Sequence, residues 1–350
     1  MKYGLCEVKR LLRKKLIFLV GYYGFGNVGD ELLLINTKSI IREKVSDVKF
    51  MVLGPSKDCY SEDFVVLRWS MVSVFFAVWR AKSVVFGGGE LFQDKSSRWS
   101  FYYYLSILIL AKILKKKIII LGHGFGYLKK AHQKLLVFGL RNVDYLSVRD
   151  QFSYRRLVQM GVAAVNIVKA VDLGFESTKF ICSKQKSLAI GLSLRQDYLR
   201  YCPNSFFKAL LLMQKKLYLL SFQKKVDRND LFLKQKGIDV AKVLFMETDH
   251  FLKPRLPVDF GLIISMRYHA CVLAVLLGIP FIAILVNHKL RAIAEQFDQP
   301  ILELENFHDM QKKLLEVSQN YCCYQKKLLT RRIEVPEQIN RLKAGVKFEF

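Results

Sequence analysis

The sequence predicts an α/β protein made of two Rossmann-like lobes, each built on a parallel sheet, facing each other across a cleft. Three observations carry this. Short apolar, β-rich runs alternate with longer segments of helical pattern. Those runs are continuously apolar, as strands covered on both faces require. The alternation stops at a polar stretch, ESTKFICSKQKS (Glu176 to Ser187), and then restarts. Such alternation is the mark of doubly wound sheets, because each parallel neighbour needs a crossover, usually a helix.

In the first half the predicted strands are LIFLV, VKFMVLG, SVVFGG, KIIILGHG, DYLSVRD and AVNIVKAV. Helical segments lie between them, among them Glu31 to Arg42, Trp99 to Leu114 and Gln151 to Met160. After the polar stretch the strands are LAIGLSLR, KLYLLSF, AKVLFM, FGLIIS and PFIAILV. The predicted domains are therefore residues 1–175, residues 186–318 and a basic helical tail over 319–350. The longest uncharged apolar run, Ala270 to Val286, is cut by Gly278 and Pro280. It reads as buried helix, turn and buried strand, too broken to span a bilayer.

Of the 350 residues 52% are hydrophobic and 25% charged, which excludes a disordered chain. The formal net charge is +26, spread along the chain in short groups such as Lys115-Lys116-Lys117. Diffuse positive charge favours polyanions: an anionic membrane surface, phosphorylated substrates or nucleic acid. No aromatic-rich basic motif marks sequence-specific nucleic-acid binding, and none is expected. Seven scattered cysteines, with no C-x-x-C, fit reduced thiols in a cytoplasm and neither a zinc site nor a disulfide framework. No secretory signal is visible. A cytoplasmic protein is expected, peripheral on the inner membrane face if the charge serves lipid binding.

The chemistry sits at strand ends. GYYGFGNVGDELLL (Gly21 to Leu34) contains a literal G-x-G-x-x-G. A dinucleotide site needs a carboxylate at the tip of the next strand, yet VKFMVLG runs into Pro55 and Ser56. Asp30 and Glu31 also stand where a pyrophosphate would approach the helix N-terminus, and they would repel it. Asn27, Asp30 and Glu31 either meet a neutral, hydroxyl-rich partner or cap the helix. Gly87, Gly88 and Gly89 follow the strand SVVF, where three glycines let a backbone approach a ligand or present N–H groups to an anion. His123, in GHGFGY, reads equally as a ligand group and as a core histidine. Arg149, in SVRDQFS, ends a strand and can fork onto a carboxylate or phosphate; a pair with Asp150 beside a helix cap is the bland alternative. In SMRYHACVLAVLLGIPFIAI the strand FGLIIS delivers Arg267, an anion clamp, and His269, a side chain whose charge changes near neutral pH. Lys289 stands at the next strand–helix junction. Strand-tip cations suit a small ligand with several negative charges.

Taken in order, GYYGFGNVGDELLL, GGGELFQD, SVRDQFS, SMRYHACVLAVLLGIPFIAI and HKLRAIAEQF resemble the polysaccharide pyruvyl transferase family, in its CsaB-like bacterial cell-wall form. The resemblance runs from about Leu16 to Phe297. It implies a GT-B-like fold and transfer of pyruvate from phosphoenolpyruvate to a sugar of a cell-surface polysaccharide or its lipid-linked precursor, with a ketal formed and phosphate released. It implies that Arg149, His269 and Lys289 serve phosphoenolpyruvate binding or catalysis. Three positions depart from the family's pattern: Tyr268 stands where Leu is common, Val286-Asn287-His288 precedes the lysine, and Leu173 follows Asp172 where Pro is usual. No cofactor and no metal are expected; phosphoenolpyruvate is the donor substrate. The rivals are a GT-B glycosyltransferase using a nucleotide sugar and a non-enzymatic polyanion-binding protein.

Overall fold

The computed structural model describes residues 15–95, 97–176, 180–181, 189–213, 215–223, 227, 229–303 and 310–348. Most of the stretch read as a linker, Glu176 to Ser187, lies outside the described residues. The chain divides into two compact units, Met1–Phe25 with Leu33–Leu173 and Gln338–Phe350, and Gly26–Leu32 with Gly174–Glu337.

The strands of the first unit are β1 (Lys15–Val20), β2 (Val48–Gly54), β3 (Phe64–Leu67), β4 (Ser83–Phe86), β5 (Lys117–His123), β6 (Tyr145–Val148) and β7 (Val168–Lys169). They form one sheet in the order β3-β2-β1-β4-β5-β6-β7. Every pairing in it is parallel. The helices are α1 (Val28–Lys44), α2 (Met71–Arg80), α3 (Arg98–Ile113), α4 (Lys130–Leu140) and α5 (Gln151–Gln159). Alternate residues of a strand point to opposite faces, so a strand covered on both sides is apolar throughout. Phe18 and Val20 enter a core with Val78, Phe101, Leu108, Leu136 and Leu157 of α2 to α5. Ile17 and Leu19 enter another with Leu33, Ile40 and Ile41 of α1 and with Leu342 and Val346 from the far end of the chain.

The second unit holds β8 (Ala189–Ser193), α6 (Asn204–Leu212), β9 (Lys216–Ser221), α7 (Asp230–Gln235), β10 (Lys242–Phe245), β11 (Phe260–Ser265), α8 (Tyr268–Leu277), β12 (Phe281–Leu285), α9 (His288–Gln296) and β13 (Ile301–Glu303). Its sheet runs β10-β9-β8-β11-β12-β13, again all parallel. Helices α10 (Met310–Gln319), α11 (Tyr321–Arg332) and α12 (Val335–Gly345) complete the chain. The apolar run from Ala270 resolves into α8, a left-handed turn at Gly278 (φ 67°) and β12. Only His269 among the ten residues of α8 is not buried. Among the described residues no helix is long and apolar enough to cross a membrane.

Strand order reverses beside β1 in one sheet and beside β8 in the other. In doubly wound sheets the carboxyl ends of the strands at such a reversal are where ligands bind, because the crossover helices part there.

Candidate active site

At the carboxyl edge of the first sheet the chain turns sharply after each strand. The Gly87 N–H donates to the Val20 carbonyl across the reversal (3.2 Å). A Cβ on Gly87 would lie 2.1 Å from the Tyr23 hydroxyl, so only glycine lets this loop pack there. Gly89 adopts a φ of 98° and accepts a hydrogen bond from the Gly124 N–H at 2.8 Å. His123 is fully buried, and its Nε2 accepts the Leu91 N–H at 3.0 Å. An accepting Nε2 puts the proton on Nδ1, which faces the Gly87 carbonyl at 3.3 Å. Of the two readings of His123, the structure realises the core histidine, a neutral clamp between two loops.

Arg149 follows β6 and is 2% exposed. Its Nη2 lies 3.6 Å from Glu90 Oε2, its Nε 3.3 Å from Asp150 Oδ2 and its Nη1 3.4 Å from Asp172 Oδ2. Each guanidinium nitrogen thus faces a carboxylate. The Arg149–Asp150 pair read from the sequence exists, but it is buried. Asp150 also caps α5, its Oδ1 accepting the Ser153 N–H at 2.6 Å. The opening glycine loop is pinned by Arg68, whose Nη2 donates to the Gly21 carbonyl (2.9 Å) and to the Tyr104 hydroxyl (2.8 Å). Tyr22 and Phe25 stack at 4.2 Å, and the Arg68 guanidinium lies over both rings.

In the second unit β11 ends at Ser265. Its hydroxyl accepts the Arg267 N–H and donates to the Arg267 carbonyl, both at 2.8 Å. This local loop turns the chain so that Arg267 precedes α8 in extended conformation. Arg267 Nη2 donates to Asp227 Oδ1. Asp227 is itself fixed, its Oδ2 accepting the Phe222 and Gln223 N–H groups at 3.0 Å each. His269 is the second residue of α8 and Lys289 the second of α9, so both stand half-buried in first helical turns after adjacent strands. Asn287 caps α9 by accepting the Leu290 N–H at 3.3 Å. The segment Gly26–Leu32 belongs to this unit. Its Asn27 Oδ1 accepts the Gly29 N–H at 3.3 Å while Nδ2 donates to Asp30. Asp30 and Glu31 occupy the first turn of α1, where carboxylates meet the positive helix end. An added Cβ on Gly29 would lie 2.0 Å from His269 Nδ1, so this glycine leaves the room that the imidazole fills.

The structure therefore brings Arg267, His269 and Lys289 to neighbouring strand tips of one sheet, with Gly29 against the histidine. Arg149 and Gly87 to Gly89 share the edge of the other sheet. Sequence reasoning missed Glu90, Arg68 and Asp227. Glu90 directly follows the glycine triplet, and Asp227 lies between β9 and α7, past a strand end as the other candidates do. Position relative to a strand end was the available signal.

No curated protein matches the chain. Among solved structures, Anabaena HepE in complex with UDP and glucose is 13% identical, with a TM-score of 0.58 over 94% of this chain and 100% of that one. A glycosyltransferase from Rickettsia africae is 11% identical (TM-score 0.56, 95% and 96% covered). UDP-GlcNAc 2-epimerase from Methanocaldococcus jannaschii is also 11% identical (TM-score 0.56, 87% and 92% covered). At such identities the likeness carries the fold alone, which is GT-B-like. The family model for polysaccharide pyruvyl transferase matches residues 27–244, from Asn27 of the first loop past Arg149 and Asp227, and ends before Arg267. With more than half of its length under that model, the chain belongs to the polysaccharide pyruvyl transferase family.

Proposed function

We propose that this transferase moves pyruvate from phosphoenolpyruvate onto a sugar of a cell-surface polysaccharide or its lipid-linked precursor, forming a ketal. One observation carries the reading beyond the family: Arg267, His269 and Lys289 stand at adjacent strand tips of one sheet. A carboxylate and a phosphate on one small donor call for more than one cation, and helix N-termini add to the field. Arg149 joins this set on the family resemblance.

The transfer balances without a redox step. The donor's methylene carbon takes a proton, and C2 becomes oxocarbenium-like. A sugar hydroxyl adds to C2 and gives up its proton, the bond from C2 to the phosphate oxygen breaks, and a second hydroxyl closes the ketal. One hydroxyl proton replaces that taken by the methylene carbon; the other leaves with phosphate. His269 is assigned the proton transfer, an imidazole being suited to both directions near neutral pH. Arg267 and Lys289 are assigned the departing phosphate. Asn27, Asp30 and Glu31, beside His269 through Gly29, are assigned the acceptor's hydroxyls in addition to their capping role.

A thermal-shift comparison of phosphoenolpyruvate with UDP-glucose tests the donor. A ligand at a hundredfold excess over its Kd stabilises by about 2.7 kcal/mol. Stabilisation by phosphoenolpyruvate alone supports the proposal. Stabilisation by UDP-glucose alone replaces it with a nucleotide-sugar glycosyltransferase.

A further inference from the structure

Helix α2 is apolar on both faces. Val74, Ala77 and Val78 point into the core, as a surface helix requires. The outward residues Met71, Val72, Phe75, Phe76 and Trp79 are also apolar, and they are exposed. Phe75 and Phe76 meet edge to face at 5.7 Å, and Phe76 and Trp79 at 6.2 Å, so the rings form one continuous strip. Helix α3 packs beside α2 and adds exposed Trp99, Tyr102 and Ile113. Two of the chain's three tryptophans lie on these helices, Trp79 at 56% exposed and Trp99 at 83%, and the third, Trp69 at 77%, lies two residues before α2. A contiguous apolar surface of this kind marks a partner.

Charge selects the partner. From Phe64 to Val143 the sequence has thirteen lysines and arginines and two carboxylates, Glu90 and Asp94. Neither carboxylate faces outward: Glu90 pairs with buried Arg149, and Asp94 with His132 Nδ1 at 2.6 Å. Arg80 closes α2, Arg98 opens α3, and Lys82, Lys95 and Lys115 lie within three residues of a helix end; all five are exposed. Lys116 Nζ donates to the Trp79 carbonyl at 2.6 Å, which places its charge at the end of the strip. Two copies of such a face repel one another. Exposed Met71, Val72 and Ile113 add aliphatic surface, which acyl chains match and bases do not. Aromatic rings and aliphatic side chains on helices flanked by cations match the headgroup boundary of a negatively charged bilayer.

We propose that the outer face of α2 and α3 docks the protein on an anionic lipid bilayer, with the Trp79 strip entering the headgroup region. This stands whether or not the chain transfers pyruvate, and it is tested without activity. The full chain is mixed with phosphatidylcholine vesicles, with and without phosphatidylglycerol, and tryptophan emission is read. The expected result on the anionic vesicles is co-sedimentation, a shift of emission to shorter wavelength and quenching by bromine-labelled acyl chains, all reversed by salt. Arg80→Gln with Lys82→Gln weakens partitioning about fivefold per cation removed. Phe75→Asp with Phe76→Asp abolishes the quenching while leaving the melting temperature unchanged, since both side chains are exposed. Absence of quenching on anionic vesicles at low salt overturns the proposal. So does wild-type binding by the Phe75 and Phe76 variant. Emission already blue-shifted in a sedimenting dimer assigns the face to a second copy, and vesicle binding displaced by polynucleotide assigns it to nucleic acid; either outcome overturns it.

Discussion

His269 and Arg149 are both charged-residue candidates, but they sit in different physical settings. His269 is half-buried at a helix start, with Gly29 leaving space for its ring. His269→Ala removes the proposed proton carrier and, from a half-buried side chain, little packing. Turnover is expected to fall about a hundredfold or more with an unchanged melting temperature. Phosphate release at the wild-type rate would remove His269 from the mechanism. Arg149 is enclosed by three carboxylates. Arg149→Met leaves those charges buried without their cation, a loss of about 3–5 kcal/mol. The melting temperature should then drop by roughly 10 °C. An unchanged melting temperature with a raised KM would instead show Arg149 to be available to the donor. Asp94 gives a pH test. Burial raises its pKa, but the Lys129 N–H and His132 outweigh that and hold it below the ordinary 3.8. A depressed carboxylate pKa stabilises the fold above its unfolded value, and the gain is lost as pH falls through the folded value. The melting-temperature gap between the wild type and Asp94→Asn is therefore expected to be full at neutral pH and to close in acid below about 3.8. A gap independent of pH would contradict the stabilisation of the Asp94 carboxylate by the Lys129 N–H and His132.

Apolar runs closed by a turn or a charged residue were legible whatever their length: the four-residue β4, β6 and β10 fall inside the predicted SVVFGG, DYLSVRD and AKVLFM. Strands β1, β2 and β5 are buried apolar runs, and period and burial agree there. Strands β3 (FVVL) and β13 (ILE) were not among the predicted runs; each is an edge strand held by one neighbour, β2 and β12. Helix α2 escaped although Val74, Ala77 and Val78 recur at helical spacing, because the apolar residues beside them make MVSVFFAVW read as one nearly continuous apolar run. The strand-tip positions of Arg267, His269 and Lys289 followed from strand ends alone. The Asp227 contact needed pairing between distant loops, which no local pattern shows. Near the C-terminus, Leu342 is fully buried in the core that covers β1, and Tyr145 donates to its carbonyl at 2.9 Å. Leu342→Ala should cost about 2–5 kcal/mol, seen as a lower denaturation midpoint with unchanged slope. No loss would mean that α12 contributes nothing to the first unit.

The charge of +26 has two separable uses in the proposed function and docking. There, cations at strand tips hold a small multivalent anion, while cations near α2 and α3 meet a bilayer surface. The second depends steeply on salt, because exposed charges are screened within about 10 Å at 0.1 M ionic strength. The first, half-buried, is screened less. Donor chemistry is decided by incubating the purified protein with phosphoenolpyruvate labelled in its pyruvyl carbons and a bacterial cell-wall glycan. The expected outcome is label fixed on the glycan as an acid-labile ketal, with one phosphate released for each pyruvyl group transferred. A glycan that stays unlabelled while sugar from a UDP-sugar is incorporated would contradict pyruvyl transfer by this chain.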